Sequence, residues 1–474
     1  MEKLNFYDTI IVGAGPGGIF TAFELVNNNY KGSVCVLEAG TPLSERHCPI
    51  NDNKVTSCIR CNHCSIMSGF GGAGAFSDGK YNITNAFGGT LYERIGKDEA
   101  LSLMEYVDSI NVLMGGEDTK TYSTTDSKIN KECMVNKLNL LDAKVRHLGT
   151  DKNYDILNNL YEFLLSKDVV FRFKTEVIDF DEHIYDVNSK SVYSANYKVY
   201  IADSEEAYYC NNLIFSIGRS GSNRMKDICK KHNIKNTSNR VDIGVRVELN
   251  AKIFEHITDD LYEGKIVYKT GKFEDNVRTF CMNPHGKVVT ENTNGVVTVN
   301  GHSYGDISKH TNNTNFALLV SKRFTEPFND SNAYAESIVK LSNMLGGGVI
   351  VQKFGDLIRG RRSTPERIEK GLVSPTLQAT PGDLSLVLPK RILDGIIEMI
   401  YALDNIAPGT ANDDTLLYGV EVKFYNVEVA VDNNLSVPGY KNVYIIGDGS
   451  GVTHSLSQAS ASGVYVARNI LEEK

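Results

Sequence analysis

The chain has 474 residues, of which 41% are hydrophobic and 23% charged, and its net charge at pH 7 is −8. This length suits two or three domains, and the acidic balance argues against nucleic acid or an anionic membrane as the main partner, since both require a basic face. No apolar run reaches the ~18 residues that a membrane-spanning helix needs. Residues 1–7 are too few and too polar for a signal peptide, so we expect a cytoplasmic protein.

A predicted β-α-β unit opens the chain. Its first strand, residues 8–12, leads into the glycine turn 13–18 (GAGPGG), and a helix over about 17–26 and a buried strand over 33–37 follow. In such a turn the first glycine allows a tight bend, the second lets the backbone approach a pyrophosphate, and the last lets helix and strand pack closely. Glu38, twenty residues after the turn, stands where a carboxylate binds ribose hydroxyls. The predicted dinucleotide contacts are Gly13, Gly15, Pro16, Gly17, Gly18, Glu38 and Ala39.

Four of the nine cysteines fall in the loop that follows this unit, namely Cys48, Cys58, Cys61 and Cys64. The last three are separated by two residues each, a spacing that lets thiolates converge on one metal centre, as in ferredoxin-type iron–sulfur loops. Three alternatives stay open. They are a zinc site with His63 as a further ligand, a redox-active Cys58/Cys61 pair, and free thiols without a role.

A glycine-rich segment, residues 68–80 (SGFGGAGAFSDGK), comes next. Glycines at this density serve either flexibility or the close approach of backbone to a flat ligand. Because Phe70 and Phe76 are unusual in a mobile linker, we expect a loop that lies along a bound ring system; a purely structural loop is the alternative. The predicted contacts are Gly71, Gly72, Ala73, Ser77, Asp78 and Gly79. Lys80 is expected to face the same site.

The spacing of apolar residues predicts the remaining elements. A mainly helical stretch is expected over about 97–166 and a final helix over about 457–471. Residues 241–249 alternate between apolar and polar, which predicts a half-exposed strand. Other strands are predicted at 169–173, 197–202, 213–217 and 443–446.

The segment 443–451 (VYIIGDGSG) distinguishes FAD from NAD, which share the N-terminal glycine turn. It resembles the C-terminal Gly-Asp motif of the glutathione-reductase-like superfamily of FAD-binding proteins. The resemblance implies that Gly447 and Asp448 contact the ribityl chain or the pyrophosphate end of FAD. It implies as well that the next helix points its N-terminus, at Ser457 and Gln458, toward the flavin edge that becomes negatively charged on reduction.

Further segments fit this resemblance in their order along the chain. Val177 follows a short strand, at the position whose backbone meets the adenine in that superfamily, and Gly218 lies in the turn by which the chain leaves the FAD-binding domain. The glycine-rich segment, together with 280–286 (FCMNPHG) and 447–451, is similar to the FAD-dependent dehydrogenase family. That similarity implies FAD and a redox role without naming a substrate.

We therefore predict an α/β fold, a Rossmann-like FAD-binding domain with a helical insertion and an α+β substrate domain. The predicted bounds are 1–95, 167–225 and 435–474 for the FAD-binding domain, 96–166 for the insertion and 226–434 for the substrate domain. The glycines at 346–348 precede an apolar strand instead of following one, so they do not form a second dinucleotide-binding turn. A dedicated NAD(P)H domain is therefore not expected, and NAD(P)H or a ferredoxin would act as a transient electron partner.

The favoured function is an FAD-dependent dehydrogenase or reductase that passes hydride between flavin N5 and a small organic substrate. The alternative is a flavin electron-transfer or redox accessory protein, coupled to a Cys-ligated metal cluster or to a protein partner. His454 precedes the final helix and is the candidate proton donor or acceptor. Lys80 and Arg246 are the candidates for binding an anionic substrate.

Overall fold

The computed structural model describes residues 5–49, 54, 59, 61, 63–77, 79–125, 127–182, 195–261, 263–293, 295–304 and 307–472. Two of the predicted site residues, Cys58 and Asp78, lie outside this part. The strands are β1 Asn5–Val12, β2 Val34–Leu37, β3 Lys80–Ile83, β4 Thr121–Ser123, β5 Leu138–Leu140, β6 Lys144–His147, β7 Val170–Arg172, β8 Val177–Glu182, β9 Tyr197–Ile201, β10 Ala207–Phe215, β11 Asn236–Thr237, β12 Val241–Asn250, β13 Ile266–Lys269, β14 Asn276–Asn283, β15 Lys287–Thr293, β16 Val296–His302, β17 Asn313–Lys322, β18 Ile350–Lys353, β19 Thr380–Pro381, β20 Leu416–Lys423, β21 Glu428–Val429 and β22 Val443–Ile445. The helices are α1 Pro16–Asn27, α2 Tyr92–Ile95, α3 Lys97–Asn111, α4 Lys128–Val135, α5 Thr150–Ser166, α6 Ser222–Lys231, α7 Ala251–Leu261, α8 Ser331–Gly346, α9 Phe354–Ile358, α10 Pro365–Glu369, α11 Lys390–Asp404 and α12 Leu456–Glu472. Within the described ranges, no helix combines the length and the apolar composition needed to cross a bilayer.

The chain folds into two compact units. Unit 1 comprises residues 1–121, 144–237 and 426–474, and unit 2 comprises 122–143 and 238–425. These units divide the chain at other positions than the predicted domains, and the functions assigned to those domains stay predictions. The stretch predicted as mainly helical contains α3, α4 and α5 but also the short strands β4, β5 and β6.

Unit 1 is built around a sheet with the strand order β7-β2-β1-β10-β9-β8. The second half of β10 also pairs with β22, and the strands β7, β2, β1, β10 and β22 are mutually parallel. Ile10 and Ile11 of β1 are both fully buried, as expected of a central parallel strand covered on both faces. The carboxyl ends of all five parallel strands meet at one edge, where ligands bind in open α/β sheets. The predicted α/β fold class is confirmed.

Helices α1 and α12 pack closely in unit 1. A Cβ on Gly463 of α12 would overlap the carbonyl oxygen of Gly17 in α1, so glycine at this position permits the close crossing. The first turns of both helices lie at the carboxyl edge of the sheet, because α1 follows β1 and α12 follows β22.

Unit 2 contains an eight-stranded sheet with the order β19-β18-β20-β12-β17-β14-β13-β5. The prediction that residues 241–249 form a half-exposed strand is wrong, because β12 is central and these residues are all buried. Its apolar side chains join a core with α7, α8 and α11. Its polar side chains on the other face are paired inside the unit; for example, Glu248 accepts a hydrogen bond of 2.6 Å from the Tyr418 hydroxyl.

Candidate dinucleotide-binding site

The glycine turn between β1 and α1 has the geometry that its sequence predicts. Gly13 has a φ of +103°, and an added Cβ would lie 2.5 Å from the carbonyl oxygen of Ser216. A Cβ on Gly18 would overlap the carbonyl oxygen of Gly13, so only glycine lets α1 approach β1 this closely. Gly15 differs, because its backbone is extended and no atom in the described part of the chain lies within 4 Å of an added Cβ. The space over Gly15 is therefore open to a ligand.

The N-terminus of α1 faces the same edge of the sheet. Pro16 stands at its first position, where the missing N–H leaves no acceptor unsatisfied. The N–H groups of Gly17 and Gly18 have no acceptor within the helix, because they belong to its first turn. These donors and the positive end of the helix dipole favour an anionic group such as a pyrophosphate.

Glu38 follows β2 and is only 7% exposed. Its Oε2 accepts a hydrogen bond from the Ala14 N–H at 2.8 Å, and its Oε1 accepts from Gly40 N–H at 2.8 Å and Gly69 N–H at 2.9 Å. A carboxylate offers about four acceptor positions, so capacity remains for a ribose hydroxyl. Glu38 also joins three loops, a role that its position in the motif did not predict.

The residues after β7 lie beside Glu38. The Lys174 N–H donates to the Gly40 carbonyl at 2.8 Å, and the Thr175 N–H donates to the Glu38 carbonyl at 2.9 Å. Val177 starts β8 two residues later and is 3% exposed. The predicted ribose and adenine contacts thus come from neighbouring segments, and the adenine contact itself stays a prediction.

The glycine-rich segment is attached to the glycine turn. The Phe70 N–H donates to the Thr41 carbonyl at 3.0 Å, and the Gly71 N–H donates to the Ala14 carbonyl at 2.8 Å. The Phe70 ring is fully buried and packs edge-on against Tyr161, with 4.8 Å between ring centroids. This arrangement does not fit a mobile linker, and it is compatible with both a ring-contacting loop and a purely structural loop.

A short 3-10 turn, Gly72–Phe76, continues the segment. A Cβ on Gly72 would lie 3.2 Å from the Gly15 Cα, and a Cβ on Gly74 would lie 2.7 Å from Cδ2 of Leu456 in α12. The turn, which includes Ala73, therefore touches the starts of both α1 and α12. Contacts of this segment with a flavin ring stay a prediction.

The side chain of Ser77 is used within its own turn. Its hydroxyl donates to the Gly74 carbonyl at 2.7 Å and accepts from the Gly79 N–H at 3.2 Å. The expectation that Ser77 faces the site therefore finds no support in its hydrogen bonds. Lys80 follows as the first residue of β3, paired with His147 of β6, and its proposed contact with an anionic substrate stays a prediction.

The C-terminal motif lies at the ends of β10 and β22. The Gly447 N–H donates to the hydroxyl of Ser462 in α12 at 3.2 Å. The Asp448 carboxylate lies 3.6 Å from Nε of Arg219, which directly follows Gly218 after β10. Burial raises the pKa of Asp448 to about 6, and the guanidinium of Arg219 opposes this shift only in part.

Replacing Asp448 by asparagine should therefore stabilise the flavin-free protein in a pH-dependent way. The folded carboxyl holds its proton more tightly than the unfolded one, so its charged form lowers stability as pH rises from about 4 through about 6. The amide of the Asp448→Asn variant would carry no such charge. The gain in unfolding free energy should approach ~3 kcal/mol at about pH 8 and be clearly smaller at about pH 5. Urea titrations at both pH values check this, and an equal gain at both would contradict it.

Two buried hydroxyls lie at the start of α12, one in its first turn and one just before the helix. The hydroxyls of Thr453 and Ser457 are fully buried, and neither has a hydrogen-bond partner in the described part of the chain. The Gln458 side chain donates through Nε2 to the carbonyls of Thr84 at 3.2 Å and Phe87 at 3.1 Å, and its contact with FAD stays a prediction. Its amide therefore fixes the loop after β3.

The two remaining catalytic candidates have different surroundings. His454 is half-buried, and its backbone N–H donates to the Gly88 carbonyl at 2.8 Å; its role in proton transfer stays a prediction. Arg246, in unit 2, is completely buried and donates to both carboxylate oxygens of Glu421, at 2.7 and 2.8 Å, and to Asn315 at 2.8 Å. Its proposed substrate role depended on β12 being half exposed. Because β12 is buried, this candidate loses its basis.

The cysteine segment shows no converged ligands among the residues that can be described. Cys48 is half-buried, and Cys61 and Cys64 are exposed free thiols. In the described ranges, Asp179, Asp181 and His232 form the group whose ligand atoms converge, and Asp179 already pairs with His232 at 2.8 Å. An iron–sulfur cluster or a redox thiol pair at the cysteine segment stays a prediction.

The residues at the carboxyl edge of unit 1 fit FAD. Gly15 leaves open space beside the free N–H groups of α1, and Glu38 keeps acceptor capacity beside them. At the start of α12, the Ser457 hydroxyl has no partner among the described residues. These features suit a pyrophosphate, a ribose and a polar ring edge, respectively.

One family model that matches part of the chain is named for the same cofactor. Residues 241–424 match the family model described as "FAD-dependent protein, C-terminal domain-like". This match spans β12 to β20 of unit 2. A relative from Clostridium beijerinckii, named only as an uncharacterized protein, is 26% identical over 490 residues, covering 98% of this chain and 80% of its own.

Solved structures with a similar arrangement are distant in sequence. Glycine oxidase from Geobacillus kaustophilus is 10% identical with a TM-score of 0.41, covering 99% of this chain and 95% of its own. L-proline dehydrogenase from P. horikoshii is 10% identical with a TM-score of 0.39, covering 100% of this chain and 95% of its own. Identities and TM-scores this low say nothing about the substrate or the chemistry of the present chain.

Proposed function

We propose that this protein is an FAD-dependent oxidoreductase that binds FAD non-covalently at the carboxyl edge of the unit 1 sheet and acts on a small organic substrate. The observation that carries the proposal is the meeting of three motifs at this edge. They are the glycine turn 13–18, the Glu38 carboxylate and the Gly447-Asp448 turn, which follow the parallel strands β1, β2 and β22; β10 lies between β1 and β22. The family-model match of residues 241–424 supports the same cofactor.

Each motif has a separate task in this proposal. The N–H groups of Gly17 and Gly18 hold the pyrophosphate, since they lie free at the start of a helix. Glu38 accepts from the adenosine ribose, and Asp448 meets the ribityl chain or the pyrophosphate. When bound, FAD supplies a group that accepts or donates hydride at N5. The first turn of α12 offers a positive dipole end to the reduced ring.

The first expected result is that the purified protein is yellow and releases intact FAD on heat denaturation. FMN lacks the adenosine that Glu38 is proposed to bind, so it should bind far more weakly in reconstitution titrations. NAD should not displace FAD. Glu105, exposed on α3, provides a control variant, Glu105→Gln, that should bind FAD as the native protein does.

Two outcomes would count against the proposal. A colourless protein that gains no flavin absorbance after reconstitution would refute FAD binding. If FAD binds, anaerobic reduction by NADH, NADPH and reduced ferredoxin in turn separates the electron partners. Reduction by ferredoxin alone, with no turnover of small substrates, would favour an electron-transfer protein over an enzyme with its own substrate.

A further inference from the structure

Arg46 has no place in any of the sequence motifs, yet it is 3% exposed and lies at the glycine-rich segment. Its guanidinium donates to four backbone carbonyls. Nη1 donates to Phe70 at 2.6 Å and Gly72 at 2.8 Å, Nε to Ser65 at 2.9 Å and Nη2 to Ile66 at 2.9 Å. One side chain thus holds four acceptors within eight residues of chain.

The backbone of residues 69–72 shows why a fork of donors is needed. Gly69, Gly71 and Gly72 all have positive φ, at 117°, 85° and 56°. Each of the four N–H groups of this stretch has an acceptor: the Glu38 carboxylate or the carbonyls of Thr41, Ala14 and Gly69. The carbonyls of Phe70 and Gly72 instead point to Arg46. Without Arg46, the buried Phe70 carbonyl would lose this donor, and a buried acceptor without a donor is costly.

Arg46 and Glu38 therefore hold one stretch of backbone together, one as a donor and the other as an acceptor. Glu38 accepts from the Gly69 N–H, and Arg46 donates to the carbonyls that follow it. Burial lowers the pKa of Arg46 to about 10, and Glu38 and Cys64 oppose that shift, so the side chain stays charged at neutral pH. Lysine could not replace this contact fully, since a single ammonium lacks the planar fork of five donors.

We propose that Arg46 is a positioning residue that presses the glycine-rich segment against the glycine turn and thereby shapes the cofactor-binding edge. The geometry supports this directly, because the Gly71 N–H bonds to Ala14 and Gly72 approaches Gly15. The effect on FAD rests on the proposed function. The effect on the backbone does not, so the two can fail separately.

The test compares Arg46→Met with Arg46→Lys and with a matched control, Arg146→Met. Arg146 is likewise a largely buried arginine of unit 1, with its side chain 12% exposed and paired with Asp108. Hydrogen exchange of the amides in 63–77 is measured in flavin-free protein, and FAD dissociation rates are measured after reconstitution. Arg46→Met should speed exchange in this segment and FAD release by about tenfold or more. The exchange and FAD-release rates of Arg46→Lys should lie between those of Arg46→Met and those of the native protein.

Each outcome bears on the proposal. Faster local exchange in Arg46→Met but not in Arg146→Met, at temperatures where both remain folded, supports it. Exchange in 63–77 that equals the native rate in Arg46→Met and Arg46→Lys overturns it, as does an equal change in Arg146→Met. If Arg46→Met does not fold, the lysine variant decides. If Arg46→Met shows faster amide exchange in 63–77 but releases FAD at the native rate, the proposed effect of Arg46 on the cofactor is overturned. Failure of the native protein to bind FAD would refute the proposed function and leave the exchange result to judge Arg46.

Discussion

Replacing Gly15 by alanine should leave the fold intact and weaken FAD binding by about a hundredfold, ~2.7 kcal/mol. The extended backbone of Gly15 is open to any residue, and an added Cβ meets no atom of the described residues within 4 Å. The flavin-free variant should therefore unfold at the native urea concentration or slightly above it, since alanine restricts the unfolded chain more than glycine. The methyl group would occupy the space through which a pyrophosphate approaches the backbone.

Gly18→Ala is the matched variant, with the opposite expected pattern. Its Cβ would overlap the Gly13 carbonyl oxygen, so the variant should lose stability by about 1–3 kcal/mol or fail to fold. Urea unfolding and FAD titration of both variants separate the two effects. Native affinity in Gly15→Ala would place the phosphates elsewhere, and native stability in Gly18→Ala would refute the packing role of the last glycine.

The parts of this site that follow from sequence are those set by local sterics. The glycine turn and the Gly-Asp turn require particular backbone conformations from consecutive residues, so their spacing carries the information. The helix bounds follow from another local signal, the spacing of apolar residues. The sequence predicts α1 over 17–26 and α12 over 457–471, and the structure has them at Pro16–Asn27 and Leu456–Glu472.

The parts that the sequence could not reveal depend on contacts between distant residues. Arg46 donates to carbonyls about twenty residues away, and the sequence around residue 46 contains no motif that predicts these contacts. Arg219 comes beside Asp448 only because β10 and β22 are neighbours. The alternation in β12 indicated solvent on one face, but Glu421, far along the chain on β20, pairs with Arg246 there. A polar side chain in a strand shows that a polar partner is needed and does not show that the partner is water.

Glu38 illustrates how structure changes an expectation about a motif residue. The motif assigns Glu38 a contact with ribose, and the loss of that contact alone would weaken FAD binding without disturbing the fold. Its carboxylate, however, accepts from the N–H groups of Ala14, Gly40 and Gly69, which belong to the glycine turn, the residues just after β2 and the glycine-rich segment. Hydrogen bonds to charged groups contribute about 1.5–3 kcal/mol each, and a buried N–H that loses its acceptor is destabilising.

Glu38→Ala should therefore lower the unfolding free energy of the flavin-free protein by about 3–5 kcal/mol, besides weakening FAD binding. The unfolding free energy of Glu38→Gln should lie between those of Glu38→Ala and the native protein. Its amide oxygen can keep the bonds to Gly40 and Gly69, while its NH₂ group faces the Ala14 N–H as a second donor. Urea unfolding of both variants measures the order of their unfolding free energies, with the exposed-site variant Glu105→Gln as the control. FAD titration below the unfolding transition then isolates the ligand contact. A Glu38→Ala protein as stable as Glu105→Gln would show that these three hydrogen bonds do not hold the loops together.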